Sequence, residues 1–103
     1  MKELERMVAG LVANNTLHRN GLRLQDMTTE AIIDHLVDEM GELSDAVAGE
    51  PPEPRENQVS ELADVHAILI HVRMRLGISE TEIEQEAIRK IKIRFTDGVP
   101  DAW

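Results

Sequence analysis

The stretch Thr29-Glu30-Ala31-Ile32-Ile33-Asp34-His35-Leu36-Val37-Asp38-Glu39-Met40-Gly41-Glu42-Leu43-Ser44-Asp45-Ala46-Val47-Ala48 decides how this chain folds. Its apolar residues Ile32, Leu36, Met40, Leu43 and Val47 step by four, four, three and four positions, which places them on one stripe of a helix. Thr28 or Thr29 is the expected N-cap, and Glu30 in the first turn suits the helix dipole. Gly49 stands where a helix stop is expected.

Outward from this helix the pattern repeats. Leu4, Met7, Val8, Leu11 and Val12 predict a helix over residues 3–17, ended by Asn14-Asn15-Thr16 and followed by a loop through Asn20-Gly21. Downstream, Glu50-Pro51-Pro52-Glu53-Pro54 cannot be helical. A third helix is predicted from Arg55–Gln58 to Leu76. Its apolar residues, from Val59 through Ile68, Leu69, Ile70 and Val72, cover more than one face, so one face is left for a partner. Gly77 ends it. Ser79 and Glu82 then form a capping box for a fourth helix to about Arg94, with Ile83, Ala87, Ile88 and Ile91 as its apolar positions. No segment reads as a strand. The expected fold is a single all-α domain over residues 1–103, a four-helix bundle completed by dimerisation.

Composition narrows the function. Apolar residues make up 42% of the 103, and the only aromatic rings are Phe95 and Trp103, so the core is aliphatic. The absence of cysteine excludes disulfides and thiolate metal sites. No apolar run approaches the roughly 20 residues that span a bilayer, and Met1-Lys2-Glu3-Leu4-Glu5-Arg6 is not a secretory leader; a cytoplasmic protein is expected. A net charge of −9 disfavours nucleic acid as a partner. It does not disfavour a nucleotide that arrives with a divalent cation held by carboxylates.

The carboxylates offer such a site. Glu39 and Glu42 on the second helix, and Glu61 and Asp64 on the third, are each three positions apart and share a helix face. If the helices pack antiparallel, four carboxylates converge, the oxygen donor set that hard cations take. Spacing alone decides little, since this many acids yield about four such pairs by chance; Glu42/Asp45, Glu50/Glu53 and Glu53/Glu56 are others. Context favours the first two. Glu39, Glu61 and Asp64 lie among Leu36, Met40, Val59, Leu62 and Val65, where like charges are costly unless a cation joins them. Gly41, in mid-helix, suggests a close approach to the backbone.

Asp38-Glu39-Met40-Gly41-Glu42-Leu43 followed, eighteen positions after Leu43, by Glu61-Leu62-Ala63-Asp64-Val65 resembles the MazG-like members of the all-α nucleoside triphosphate pyrophosphohydrolases. The resemblance runs over residues 28–95. It implies magnesium, or manganese in its place, on Glu39, Glu42, Glu61 and Asp64. It implies cleavage of a ribo- or deoxynucleoside triphosphate to monophosphate and pyrophosphate by a homodimer or a dimer of dimers. Asp38 stands where the family often has Glu, and no Asn on the last helix matches the one the group often shows there.

Roles follow for individual residues. Glu39 or Glu42 is the expected acceptor of the attacking water's proton. Lys90 and Arg94, one turn apart on the fourth helix, are the expected phosphate-binding bases. His35 shares a face with Glu39 and Glu42, as a surface pair or as a partner of the site. His71 is placed either near the site or in a packed interface, while His66 points elsewhere. Phe95, Trp103, Asn14, Asn15 and His18 are the groups that could meet a base. Two other readings compete: a phosphoribosyl-ATP pyrophosphatase-like enzyme, whose fuller motif is poorly matched, and a non-catalytic helical interaction module.

Overall fold

The computed structural model describes residues 2–95, and these are all-α. The helices are α1 (Lys2–Ala13), α2 (Thr29–Ala48), α3 (Arg55–Arg75) and α4 (Glu80–Phe95), with a 3-10 turn, Leu24–Asp26, ahead of α2. Among the described residues the only extended pairing is an isolated bridge between Leu17 and Arg23. No helix among them is long and apolar enough to cross a membrane. The expected ring at Trp103 lies outside the described residues.

The helix ends follow from their residues. The Thr28 side chain accepts a hydrogen bond from the Ala31 N–H at 3.1 Å, a cap whose loss costs about 1 kcal/mol. Ser79 and Glu82 close a reciprocal box at the start of α4: the Ser79 N–H donates to Glu82 Oε2 at 2.8 Å, and the Glu82 N–H to Ser79 Oγ at 3.1 Å. Gly77, at φ +67°, makes the turn between α3 and α4. α1 is shorter than the predicted 3–17. Asn15 takes a left-handed conformation at φ 53°, the Thr16 N–H reaches Leu11 O, and the Asn15 N–H reaches Val12 O. This Schellman closure stops the helix where a short polar side chain tolerates the turn.

α2 and α3 form an antiparallel hairpin. Ile32 near the start of α2 meets Val72 near the end of α3, while Glu39 lies opposite Glu61 and Asp64. Leu24 and Met27 close the same cluster, and Val12 brings α1 onto it. Arg75 fastens the end of α3 to the loop before α2: Nη1 donates to Met27 O at 2.5 Å, and Nη2 donates to Leu24 O.

The buried line of α2 keeps Ile32 from the predicted stripe, with Leu36 packed on the core, but departs from it at Met40 and Val47. Ile32, Glu39 and Ala46 are buried at seven-residue intervals, whereas Met40 and Val47, one position further on, are each 52% exposed. The helix is turned by about one residue so that an acid, not a methionine, faces α3. Gly41 meets no close approach, because a Cβ there would find nothing within 4 Å. α4 stands clear of the hairpin: residues 80–93 are all exposed, Ile83, Ile88 and Ile91 among them. Its apolar face has no cover among the described residues of one chain.

Candidate metal centre and adjoining cavity

Antiparallel packing brings Glu39 from α2 to Glu61 and Asp64 from α3. Each offers a carboxylate oxygen, and these three oxygens lie within 4.8 Å of one another. Glu39 is buried, Glu61 is half-buried and Asp64 is exposed, so the cluster runs from the hairpin interior to its surface. Glu39 Oε2 and Glu61 Oε2 are buried without a hydrogen-bond partner among the described residues. Orphaned buried acceptors are uncommon and call for a reason. A divalent cation is one: its oxygen ligands are of this kind, and its charge removes the repulsion. The donor set fits a hard cation.

The electrostatics agree. Burial and the neighbouring carboxylates of Glu42 and Asp64 raise the Glu39 carboxyl to about 6, with Arg19 opposing. Burial and the charges of Glu42, Asp64 and Glu53 likewise push Glu61 upward. Glu42 therefore acts on both of these acids, although it is itself exposed and outside the three-oxygen group.

Glu39 is held from its other side. Its Oε1 accepts from Arg19 Nη1 at 3.3 Å and from His35 Nε2 at 3.2 Å. Arg19 Nη2 also donates to Asp38 at 3.1 Å, which gives Asp38 a partner other than a metal. Behind His35, its Nδ1 lies 2.9 Å from His18 Nε2, and His18 Nδ1 accepts the Asn20 backbone N–H at 3.1 Å. A backbone N–H only donates, so the proton of neutral His18 is on Nε2 and points to His35 Nδ1. The proton of His35 is then on Nε2 and points to Glu39. Burial, Arg19 and His18 lower the His35 pKa, in keeping with a neutral ring.

A cavity of about 270 Å³ opens beside this chain of rings, between α1, the loop after it, α2 and α3. Val12, Leu17, Leu24 and Ile68 give it apolar walls, and Arg19, His18, His35 and His71 line it as well.

Of the residues singled out from sequence, Glu39, Glu61 and Asp64 converge and Glu42 adjoins them. His35 is a partner of the site. His18 and His71 are on the cavity wall, and His66 lines a cleft on the other side of α3 with Leu69, Arg73 and Ile83. Lys90 lines a shallow cleft made by α4 and the turn before it. α4 makes no substantial packing contact with α2 or α3, so within one chain Lys90 and Arg94 are not brought to the carboxylates. Sequence reasoning missed Arg19 altogether, because it sits in a loop with no periodicity.

A family model described as dATP/dGTP pyrophosphohydrolase matches residues 14–103. Neither a curated protein nor a solved structure matches the chain. The matched span begins after α1 and includes the loop of His18 and Arg19 as well as every carboxylate of the cluster.

Proposed function

The chain belongs to the dATP/dGTP pyrophosphohydrolase family, hydrolases acting on phosphoric anhydrides, and on that premise we propose that it converts dATP and dGTP to the monophosphate and pyrophosphate with magnesium on Glu39, Glu61 and Asp64. Manganese would satisfy the same oxygen donors. The observation that carries the reading is the convergence of the three carboxylates with Glu39 Oε2 and Glu61 Oε2 buried and unpartnered. The family match favours it over a phosphoribosyl-ATP pyrophosphatase-like enzyme and over a non-catalytic module.

When bound, the cation neutralises phosphate oxygens and makes water more acidic. The chain's own residues supply the rest. Glu39, with Oε1 committed to His35 and Arg19, presents Oε2 as a ligand. Glu42, exposed and adjoining, accepts the proton of the attacking water. Arg19 is the basic group beside the carboxylates, and its half-exposed guanidinium can pass from Asp38 to a phosphate oxygen, a charge-assisted partner of the same kind. Lys90 and Arg94 reach the leaving pyrophosphate when a second subunit lays its α4 over the cluster. The enzyme is then a homodimer or a dimer of dimers, and it acts in the cytoplasm.

The test is a panel of ribo- and deoxynucleoside triphosphates with magnesium, with products resolved chromatographically. Monophosphate and pyrophosphate from dATP and dGTP are expected, with loss of turnover in a chelator. Diphosphate and phosphate as products, or no turnover of any nucleotide, would overturn the proposal.

A further inference from the structure

His71 is the one buried histidine of the cavity wall that takes no part in holding Glu39. It is 8% exposed. Its Nε2 accepts from Arg75 Nε at 3.1 Å, and Arg75 is itself fixed by the carbonyls of Met27 and Leu24. A guanidinium only donates, so Nε2 is committed as acceptor and the proton of the neutral ring is on Nδ1. Burial and the charges of Arg75, His18 and His35 lower its pKa, which keeps the ring neutral. Nδ1 has no partner among the described residues. His71 lines both the main cavity and the smaller cleft beyond it, whereas Arg75, which holds Nε2, lines only the cleft, so Nδ1 is the ring nitrogen left to serve the main cavity.

The cavity adjoins the metal centre through two shared residues. His35 and Arg19 line it, and both bond Glu39. A ligand whose phosphates lie at the carboxylates would therefore carry its base toward these walls. At about 270 Å³ the cavity suits a base rather than a whole nucleotide, and apolar walls with a few fixed polar groups are the usual form of such a pocket.

Resting on the proposed function, we infer that this cavity takes the purine base of the substrate and that His71 Nδ1–H donates to a ring nitrogen that adenine and guanine share. The two purines oppose each other at position 6, where adenine carries a donor and guanine an acceptor, but both present N7 and N3 as acceptors. A rigid donor aimed at one of these nitrogens accepts both bases. A group that read position 6 would separate them. Pyrimidines have no N7, so a donor that meets N7 would be left unpaired by them, which is costly; where purines have N3 they offer O2, which accepts as well.

The experiment compares dATP and dGTP with their 7-deaza and 3-deaza analogues, in which a C–H replaces the acceptor, and with dCTP and dTTP. Wild type and His71→Phe are assayed with magnesium. For wild type, one deaza series should lose about tenfold in kcat/KM, the size of one missing hydrogen bond, with the other series near its parent. In His71→Phe, which keeps the bulk of the wall, the parent nucleotides should fall to the level of that series, and the analogue should suffer no further loss. Equal turnover of both deaza series and their parents by wild type would overturn the inference while leaving the function standing, as would a 7-deaza penalty found together with pyrimidine triphosphates turned over as well as purines. A deaza penalty that survives intact in His71→Phe would assign the contact to another group and overturn the role of His71. Absence of turnover on dATP and dGTP would overturn the function itself. If His71→Phe does not fold, the wild-type comparison of analogue and parent still decides.

Discussion

His35 Nε2 lies 3.2 Å from Glu39 Oε1, one helical turn along α2. Because His18 supplies a proton to His35 Nδ1, the ring can present only an N–H to the carboxylate. Glu39 thus keeps one oxygen engaged and leaves the other without a hydrogen-bond partner. Groups that orient a ligating carboxylate are commonly worth about 10–100-fold in metal affinity or activity. His35→Ala should therefore weaken magnesium binding by about this range, with helicity unchanged, and His35→Gln, which retains an N–H donor, should recover part of it. Calorimetric titration of magnesium checks both. An unchanged affinity in His35→Ala would reduce the pair to a surface contact.

The repulsion among the carboxylates makes a second prediction. Glu42 raises the pKa of both Glu39 and Glu61, so Glu42→Gln should stabilise the metal-free protein. Magnesium should stabilise wild type, by about 2.7 kcal/mol at 100 times the dissociation constant, and less in Glu42→Gln. Glu53 is unsuitable as a control, since its charge also acts on Glu61. Glu84→Gln on α4 is suitable. Thermal unfolding of the three proteins with and without magnesium, at fixed ionic strength, reads the effect. Glu42→Gln and Glu84→Gln behaving alike would mean that Glu42 does not share the cluster.

A third prediction concerns pH. Glu39 titrates at about 6 in the folded chain, above the 4.5 of an unperturbed glutamate. The folded state holds that proton more tightly than the unfolded state. Its contribution to stability is therefore complete below pH 4.5 and is lost as the pH rises through 6. Magnesium requires the ionised carboxylate, so its stabilising effect should grow over the same interval. Melting temperatures from pH 4 to 8, in chelator and in magnesium, should converge at the acid end and separate above about 6. Glu39→Gln should flatten the metal-free curve. A wild-type difference between magnesium and chelator that is constant with pH would contradict the assignment.

Much of this was legible in the residues, and the exceptions have physical causes. Caps were readable because they depend on neighbours in sequence: Thr28 with Ala31, and Ser79 with Glu82. The convergence of Glu39 with Glu61 and Asp64 was readable because helical spacing and a short proline-rich loop leave few ways to pack α2 on α3. The rotation of α2 was not. An amphipathic stripe gives the apolar side only to within a residue, and the burial of Glu39 in place of Met40 is set by what faces it across the hairpin. Arg19 and the roles of His18 and His71 were also hidden. They depend on contacts such as His18 with His35 and Arg75 with His71, and the first of these places a loop against a helix.

The last prediction concerns the uncovered apolar surface. Leu69 on α3 is 50% exposed and Ile88 on α4 is 45% exposed, and among the described residues of one chain α4 packs on nothing substantial. Helical hairpins of this size bury such faces on a second copy. A charge at an exposed position changes a monomer's stability by only about 0.5 kcal/mol, but at the centre of an interface it is left desolvated and unpaired. Leu69→Glu and Ile88→Glu should therefore turn an oligomeric protein into monomers and make its melting temperature less dependent on concentration. Sedimentation velocity at micromolar concentration measures the first effect. If the partner's α4 brings the phosphate-binding bases to the carboxylates, Ile88→Glu should lose activity together with assembly, and Lys90→Gln should lose activity while remaining assembled. A monomeric wild type would overturn the oligomer. Dissociated Ile88→Glu with full activity would keep the oligomer and remove Lys90 and Arg94 from the site.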